Sequence, residues 1–420
     1  MDAKELRRFA KGASTSAVIG LVSGASALTF ELALRLLSWA FDALESATRL
    51  DPLLSHPLFT AIGTTASALL LASFLSREER RGLDRVIEVY HKGGKLRPLL
   101  APIYLLASVI TIGSGGSAGS ESPTGVTSAG LTSLASRALK LSPEETRRAL
   151  AIAAGAGIGA ILKAPIGGAV FATEFLYKGK VEVKLLPQAL LASLVAYLVF
   201  GSVFGFSPLL GSVDVAFSPA YLPFMAAFGA LAGVVATAYV VALQLAMKFL
   251  AKHRIGPTVG GLGAGVMAAL FPQVAGEGLR WIRLAVSGVS VTPYVALLPF
   301  VKLLATSLTL GSSAAGGLVV PAIFVGAFLG LDFGALIHSF FPWLAVEPFV
   351  VAGIAAVFAA AGKVPVSMTV FAVEMTWSPQ LLPCVALAVL VAYLTSGSYT
   401  VYETQAGETY LQSLRSKRTS

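Results

Sequence analysis

The sequence predicts an all-α integral membrane protein built from two related halves, with helices broken near the middle of the bilayer, and three observations carry that reading. Of its 420 residues 55% are hydrophobic and only 13% charged, where a soluble domain carries about 25% charged residues. Apolar runs recur along the chain at lengths near the roughly 20 residues that a helix needs to cross the bilayer core. The 42 glycines and 21 prolines fall inside these runs as well as between them, and broken backbone at membrane depth is tolerated only where it is buried in protein or lines a cavity.

In order, the runs cover 16–41, 58–75, 99–113, 149–177, 185–204, 221–250, 294–310, 318–341, 349–373 and 381–394. Several are too short or too rich in glycine to be simple spans. Glu31 and Arg35 interrupt the first run and, four residues apart, lie on one helix face where they can pair across a turn. The net charge of +9 would admit nucleic acid as a partner. Lys and Arg gather instead in the loops between runs, the topogenic pattern of membrane proteins, so a lipid bilayer and not nucleic acid is the expected partner. The densest loop, 77–97, holds Arg77, Arg80, Arg81, Arg85, Lys92, Lys95 and Arg97, and Lys4, Arg7, Arg8, Lys11 and Arg415, Lys417, Arg418 make both termini basic. That distribution places the loop and both termini in the cytoplasm. No signal-peptide pattern opens the chain, so the first run is expected to be retained. The last run lies close to the end, which leaves no appended soluble domain to expect. The lone Cys384 has no second cysteine with which to form an internal disulfide.

Transporters are often assembled from two related halves, and here the sequence repeats. Leu105, Leu106, Ala107, Thr111, Gly113, Gly119 and Pro123 recur as Leu303, Leu304, Ala305, Thr309, Gly311, Gly317 and Pro321, each pair 198 residues apart. Lys163, Pro165, Phe171, Ala172 and Glu174 recur as Lys363, Pro365, Phe371, Ala372 and Glu374 at a spacing of 200. One transmembrane domain over 1–420 with halves at about 14–205 and 215–400 follows. The sequence does not show their relative orientation, but halves with an odd number of crossings are inverted, and inverted halves place a substrate site near the midplane.

The two glycine-rich breaks carry the chemistry. Gly113-Ser-Gly-Gly-Ser-Ala-Gly-Ser-Glu-Ser-Pro-Thr-Gly125 leads into a helix expected to start near Ser122 or Pro123, and Gly311-Ser-Ser-Ala-Ala-Gly-Gly-Leu-Val-Val-Pro321 repeats the design. Each offers free backbone N–H groups and the positive end of a helix dipole. Two such ends aimed at one point hold a dehydrated anion without a full positive charge to trap it. Glu121 lies in the first break, and an ionisable residue at membrane depth is by default a functional hypothesis. Its carboxylate would occupy the same N–H groups as the anion and so act as a gate. The alternative places Glu121 in an exposed surface loop, with the glycines serving only helix packing.

These residues resemble the motifs of the CLC chloride channel and transporter family. Gly119-Ser-Glu-Ser-Pro123 is similar to GREGP, whose glutamate is the external gate, and Gly317-Leu-Val-Val-Pro321 to GxFxP. The stretches from Lys163-Ala-Pro to Glu174 and from Lys363-Val-Pro to Glu374 resemble the family's two segments of that form, and Tyr402 in Val401-Tyr-Glu-Thr-Gln405 matches its anion-coordinating tyrosine. The order covers nearly the whole chain. The resemblance implies a prokaryotic-type member without CBS domains, an inverted two-repeat fold, and a homodimer with one pathway per subunit in the inner membrane. It also implies a monovalent anion, chloride first, bound at Gly119, Ser120, Glu121, Ser122, Leu318, Val319, Val320 and Tyr402, with Glu121 gating. Departures are equally specific. The family's GSGIP falls at Arg80-Arg-Gly-Leu-Asp84, so Arg81 replaces its central serine, Val319 replaces a phenylalanine, and Ser120 and Ser122 flank the gate in place of Arg and Gly. Phe175 stands where proton-exchanging members carry a second glutamate, so passive conduction is at least as well supported as anion/proton antiport, for which Glu174 is a substitute acid to weigh.

Other patterns have plainer readings. Gly115-Gly-Ser-Ala-Gly119 formally matches the GxSxG elbow of hydrolases with Ser117 as nucleophile, but His56, His91, His253 and His338 lie near run ends or in loops, so no enzyme is expected. No metal or cofactor motif is present. Ser142-Pro-Glu-Glu145 reads as a capping box. Glu174 and Glu374 are expected to bond nearby backbone at helix ends, and Tyr402 has a rival reading as an interfacial tyrosine. Rival functions are a carrier of another solute or a cation on a similar fold, and a CLC-like scaffold that no longer transports.

Overall fold

A residue held at positive φ and followed closely by a proline stops one helix and starts another, because proline has no N–H to give up at a helix N-terminus. Lys163 (φ 53) and Lys363 (φ 56) do this ahead of Pro165 and Pro365. The apolar runs 149–177 and 349–373 each therefore resolve into two helices rather than one. The computed structural model describes residues 3–288 and 295–407. The side chains of Lys4, Arg7 and Arg8, residue Tyr294, and Arg415, Lys417 and Arg418 lie outside the described residues.

Sixteen α-helices follow in chain order among the described residues. The first eight are α1 (Ala3–Thr48), α2 (Pro52–Phe74), α3 (Leu83–Lys92), α4 (Leu100–Gly113), α5 (Glu121–Ala138), α6 (Pro143–Ile161), α7 (Pro165–Glu174) and α8 (Leu186–Phe204). The other eight are α9 (Leu222–Phe249), α10 (Gly256–Leu270), α11 (Leu279–Val286), α12 (Leu298–Gly311), α13 (Val319–Phe340), α14 (Glu347–Gly362), α15 (Pro365–Met375) and α16 (Leu382–Thr395). Five segments are long and apolar enough to cross a membrane, namely Lys11–Thr48, Pro52–Phe74, Val183–Phe204, Pro219–Phe249 and Val319–Phe340. The remaining apolar helices, α4, α10 and α15 among them, are shorter. The Glu31–Arg35 pair forms at 2.7 Å, and the Ser142–Glu145 capping box closes at the start of α6.

In lipid the hydrophobic effect does not distinguish a helix from an acyl chain, so helices associate through close approach of small residues. Gly20 and Gly24 of α1 lie on Ala192 and Ala196 of α8, and Gly229 and Gly233 of α9 lie in the same way on Ala388 and Ala392 of α16. A Cβ on Gly20 or on Gly229 would stand 2.5 Å from the facing carbonyl oxygen. Inside this frame α14 is apolar on every side and buried from Pro348 to Gly362, as a helix hydrophobic all round has to be.

Two reciprocal contacts join the halves. Gly119 N–H donates to Gly317 O (2.9 Å) while Gly317 N–H donates to Gly119 O (2.8 Å). The Glu174 carboxylate accepts from Val366 (2.9 Å) and Ser367 (2.7 Å) at the start of α15, and Glu374 accepts from Ile166 (3.1 Å) and Gly167 (2.6 Å) at the start of α7. The expectation that these glutamates bond backbone groups at helix ends holds, and the ends they bond belong to the other half, because no side chain at Ala164 or Val364 caps α7 or α15. Glu174→Ala leaves one buried and one part-buried donor unpaired. A loss of about 2 kcal/mol or more is expected, measured as a lowered thermal midpoint in detergent.

Candidate functional site

Both glycine-rich breaks turn back on their helices through positive-φ residues, Gly115 (φ 96) in the first and Ser313 (φ 79) in the second. They meet at the Gly119–Gly317 pair, so the starts of α5 and α13 converge in the interior. Helix α5 begins at Glu121, one residue before the expected start, and Glu121 is 0% exposed, which excludes the surface-loop alternative. Its Oε1 accepts from the Val319 N–H at 2.6 Å, across the seam between the halves, and its Oε2 is buried with no hydrogen-bond partner. A Cβ on either Gly119 or Gly317 would collide with the carboxylate where it sits, so this seat for Glu121 depends on both glycines.

The residues matched to the anion site are brought together, but several N–H groups are not free as expected. The Gly119 N–H is taken by Gly317 O, the Ser120 N–H by Glu277 Oε1 at 2.8 Å, and the Val319 N–H by Glu121. Leu318 contributes its carbonyl, which accepts from the Tyr239 hydroxyl at 3.1 Å. Val320 and Ser122 are buried alongside. The physical reason is that an unpaired buried N–H costs about 1–3 kcal/mol, so the protein's own carboxylates fill such donors. Tyr402 is 4% exposed, with Ser122 beside it, Phe358 edge-on at 6.3 Å, and a hydroxyl that has no hydrogen-bond partner. An interfacial belt tyrosine would face the headgroups instead.

Sequence reasoning missed two charged residues. Lys302 is 0% exposed, donates to the carbonyls of Val274 (3.0 Å) and Gly276 (2.6 Å), and stands 5.2 Å over the Phe324 ring. Glu277 and Glu121 both lie within its electrostatic reach. The signal was present, since Lys302 is the one cation in the apolar run 294–310 and the rule that picked out Glu121 applies to it equally.

Further polar residues lie beyond Glu121. Arg81 ion-pairs with Glu403 at 3.3 Å, and Asp84 accepts from the N–H (3.0 Å) and hydroxyl (2.7 Å) of Thr404. Tyr104, another residue missed in an apolar run, is 5% exposed, and its hydroxyl lies against Gly82, where a Cβ would stand 2.5 Å away. Tyr104 and Tyr402 each lie within electrostatic reach of both Glu121 and Asp84. Tyr104 and Lys302 occupy equivalent repeat positions, 198 residues apart.

Phe175 is fully buried, stacks on Phe171 at 5.0 Å, and accepts from Gln405 through its carbonyl at 3.2 Å. The adjacent Glu174 is committed to α15. Ser117 shares a hydrogen bond with Thr306 at 2.8 Å. His56 pairs with Glu45, and His91 and His338 bond the Leu176 and Leu344 carbonyls, so these three are engaged away from Ser117.

Comparison with known proteins agrees with this layout. The chain is 29% identical over 408 residues to a putative chloride channel protein ClcB-like of Ralstonia nicotianae, covering 92% of this chain and 95% of that one. Its fold matches the crystal structure of a slow cyanobacterial Cl-/H+ antiporter with a TM-score of 0.84 at 19% identity, over 98% and 99% of the two chains. A CLC-type fluoride/proton antiporter matches with a TM-score of 0.82 at 23% identity, over 97% and 99%. The family model described as Voltage gated chloride channel matches residues 63–397. With that model spanning most of its length, and with two glycine-rich helix starts meeting at a buried glutamate, the chain belongs to the voltage gated chloride channel family.

Proposed function

We propose that this protein carries a monovalent anion, chloride first, across the membrane along the line from Lys302 through Glu121, Tyr402 and Tyr104 to Arg81, with Glu121 as the gate. The observation that carries the reading is the Glu121 carboxylate seated on the Val319 N–H between two glycines. A carboxylate in a donor nest is a stand-in for the anion that the nest accepts. Protonation or displacement of Glu121 releases the Val319 N–H, and the anion takes that donor where Gly119, Ser120 and Ser122 meet Leu318 and Val320, with the Tyr402 hydroxyl donating on the far side. Lys302 draws anions toward the gate while its carbonyl partners temper its hold.

Passive conduction is favoured over proton antiport, since Phe175 offers no titratable group and Glu174 is held at the start of α15. The division into halves at 14–205 and 215–400, a homodimer with one pathway per subunit, and residence in a prokaryotic inner membrane with both termini cytoplasmic belong to the same proposal. So do the absence of catalysis and the absence of a cofactor. One observation favours the rival reading of a non-transporting scaffold: Arg81 tied to Glu403 stitches the inner mouth.

Chloride efflux from liposomes containing the purified protein, with external pH recorded together, tests the proposal. Efflux without proton movement is the expected result. Uphill proton movement shows antiport, and no flux of chloride or other halides supports the scaffold. Tyr104→Phe removes a hydroxyl that would donate to an anion on the inner side, and a hydrogen bond to a charged group is worth about 1.5–3 kcal/mol. Chloride affinity measured by calorimetry is expected to fall on the order of tenfold or more. Unchanged affinity would leave the inner half to other groups.

A further inference from the structure

At the basic side of the molecule a cavity of ≈ 460 Å³ lies between the loop after α3, the end of α5 and the start of α6. Its rim holds Lys95, Arg137 and Arg147, and its walls are apolar, formed by Leu96, Leu141 and Leu150. The acids nearby already have partners. Glu144 pairs with Arg148, Glu145 with Lys11, Glu88 with Arg85 and Lys92, and Glu79 with Arg97. Lys95, Arg137 and Arg147 are left without an acidic partner among the described residues. Ser136 lines the same cavity at 2% exposure, and its buried hydroxyl has no hydrogen-bond partner. Pro143 at the start of α6 adds the positive end of a helix.

We propose that this cavity binds the headgroup of an anionic phospholipid. Three unpaired cations and an unsatisfied hydroxyl over apolar walls suit an anionic amphiphile, whereas a free inorganic anion has no use for the leucines. Leu134 and Leu139, exposed at 46% and 38% on the same end of α5, continue the apolar surface outward for acyl chains. The position fits as well. The cations belong to the side that the dense Lys/Arg loop 77–97 places at the cytoplasm, where the anionic leaflet attracts basic pockets between helices.

The full-length protein, stripped of lipid in detergent, is titrated with phosphatidylglycerol, phosphatidylcholine and inorganic phosphate, and bound adducts are counted by native mass spectrometry. Phosphatidylglycerol is expected to bind at least tenfold tighter than phosphatidylcholine, with inorganic phosphate failing to displace it. Each cation near a membrane surface is worth about fivefold in binding, so a variant combining Lys95→Gln, Arg137→Gln and Arg147→Gln is expected to lose about 100-fold. Equal binding of the two lipids, displacement by inorganic phosphate, or a triple variant with unchanged affinity overturns the site. Should the triple variant not fold, Arg137→Gln alone, at an exposed position, is expected to weaken phosphatidylglycerol about fivefold, and no weakening overturns the site equally. Chloride flux is not the readout, so this test stands or falls apart from the transport proposal.

Discussion

Glu121→Gln is expected to open the pathway permanently, raising chloride efflux from liposomes on the order of tenfold and removing its dependence on pH. The carboxylate holds Val319 through a charge-assisted hydrogen bond of 2.6 Å inside the protein, a class worth about 1.5–3 kcal/mol. A glutamine of the same shape keeps the volume but loses the charge, so it competes poorly with an anion for the same donors, and no proton now decides whether the seat is filled. Gly119 and Gly317 leave room for one occupant of the seat and little else, so an anion that takes the Val319 donor displaces the amide from it. If efflux in the variant keeps the wild-type rate and pH profile, Glu121 is a structural cap of α13 and the gate lies elsewhere.

Lys302→Met is expected to cost the protein more stability than Glu174→Ala. Methionine retains the stem's volume, but the Val274 and Gly276 carbonyls lose their donor and Glu277 loses the cation facing it. A buried acceptor left without its donor costs about 1–3 kcal/mol, and here two lose a charged one. The thermal midpoint in detergent should fall accordingly, and chloride affinity should fall with it, because Glu277 and Glu121 then stand at the mouth of the pathway without an opposing charge. Lys302→Arg separates the two effects, since it keeps the charge while asking for more space than the Phe324 ring and the two carbonyls leave. A Met variant as stable as wild type would show that the carbonyls find other donors and that Lys302 does not hold the Val274–Gly276 turn.

Much of this could be read from the sequence by composition and repetition. The apolar runs located most of the helices but not α3, α10 or α11, the 198- and 200-residue spacings located equivalent breaks, and the glycine-rich breaks located the two helix starts that meet at Glu121. The same rule applied to every ionisable residue inside an apolar run would have reached Lys302, and the repeat would then have pointed from Lys302 to Tyr104. Glu277 is harder to see, because it lies outside the apolar runs and nothing local distinguishes it from a surface acid.

What the sequence determined by itself is everything that depends on a segment's own chemistry: which stretches prefer lipid, where backbone cannot continue as helix, and where a capping box such as Ser142–Glu145 forms. Only the tertiary structure decided which donor meets which acceptor across the seam. Glu121 reaches Val319 rather than the start of its own helix, Glu174 and Glu374 exchange helix ends, and Glu277 takes the Ser120 N–H. These pairings join residues about 150 to 210 positions apart. Helix periodicity reaches only three or four residues along the chain, and a buried polar group is satisfied by whatever the fold brings near it.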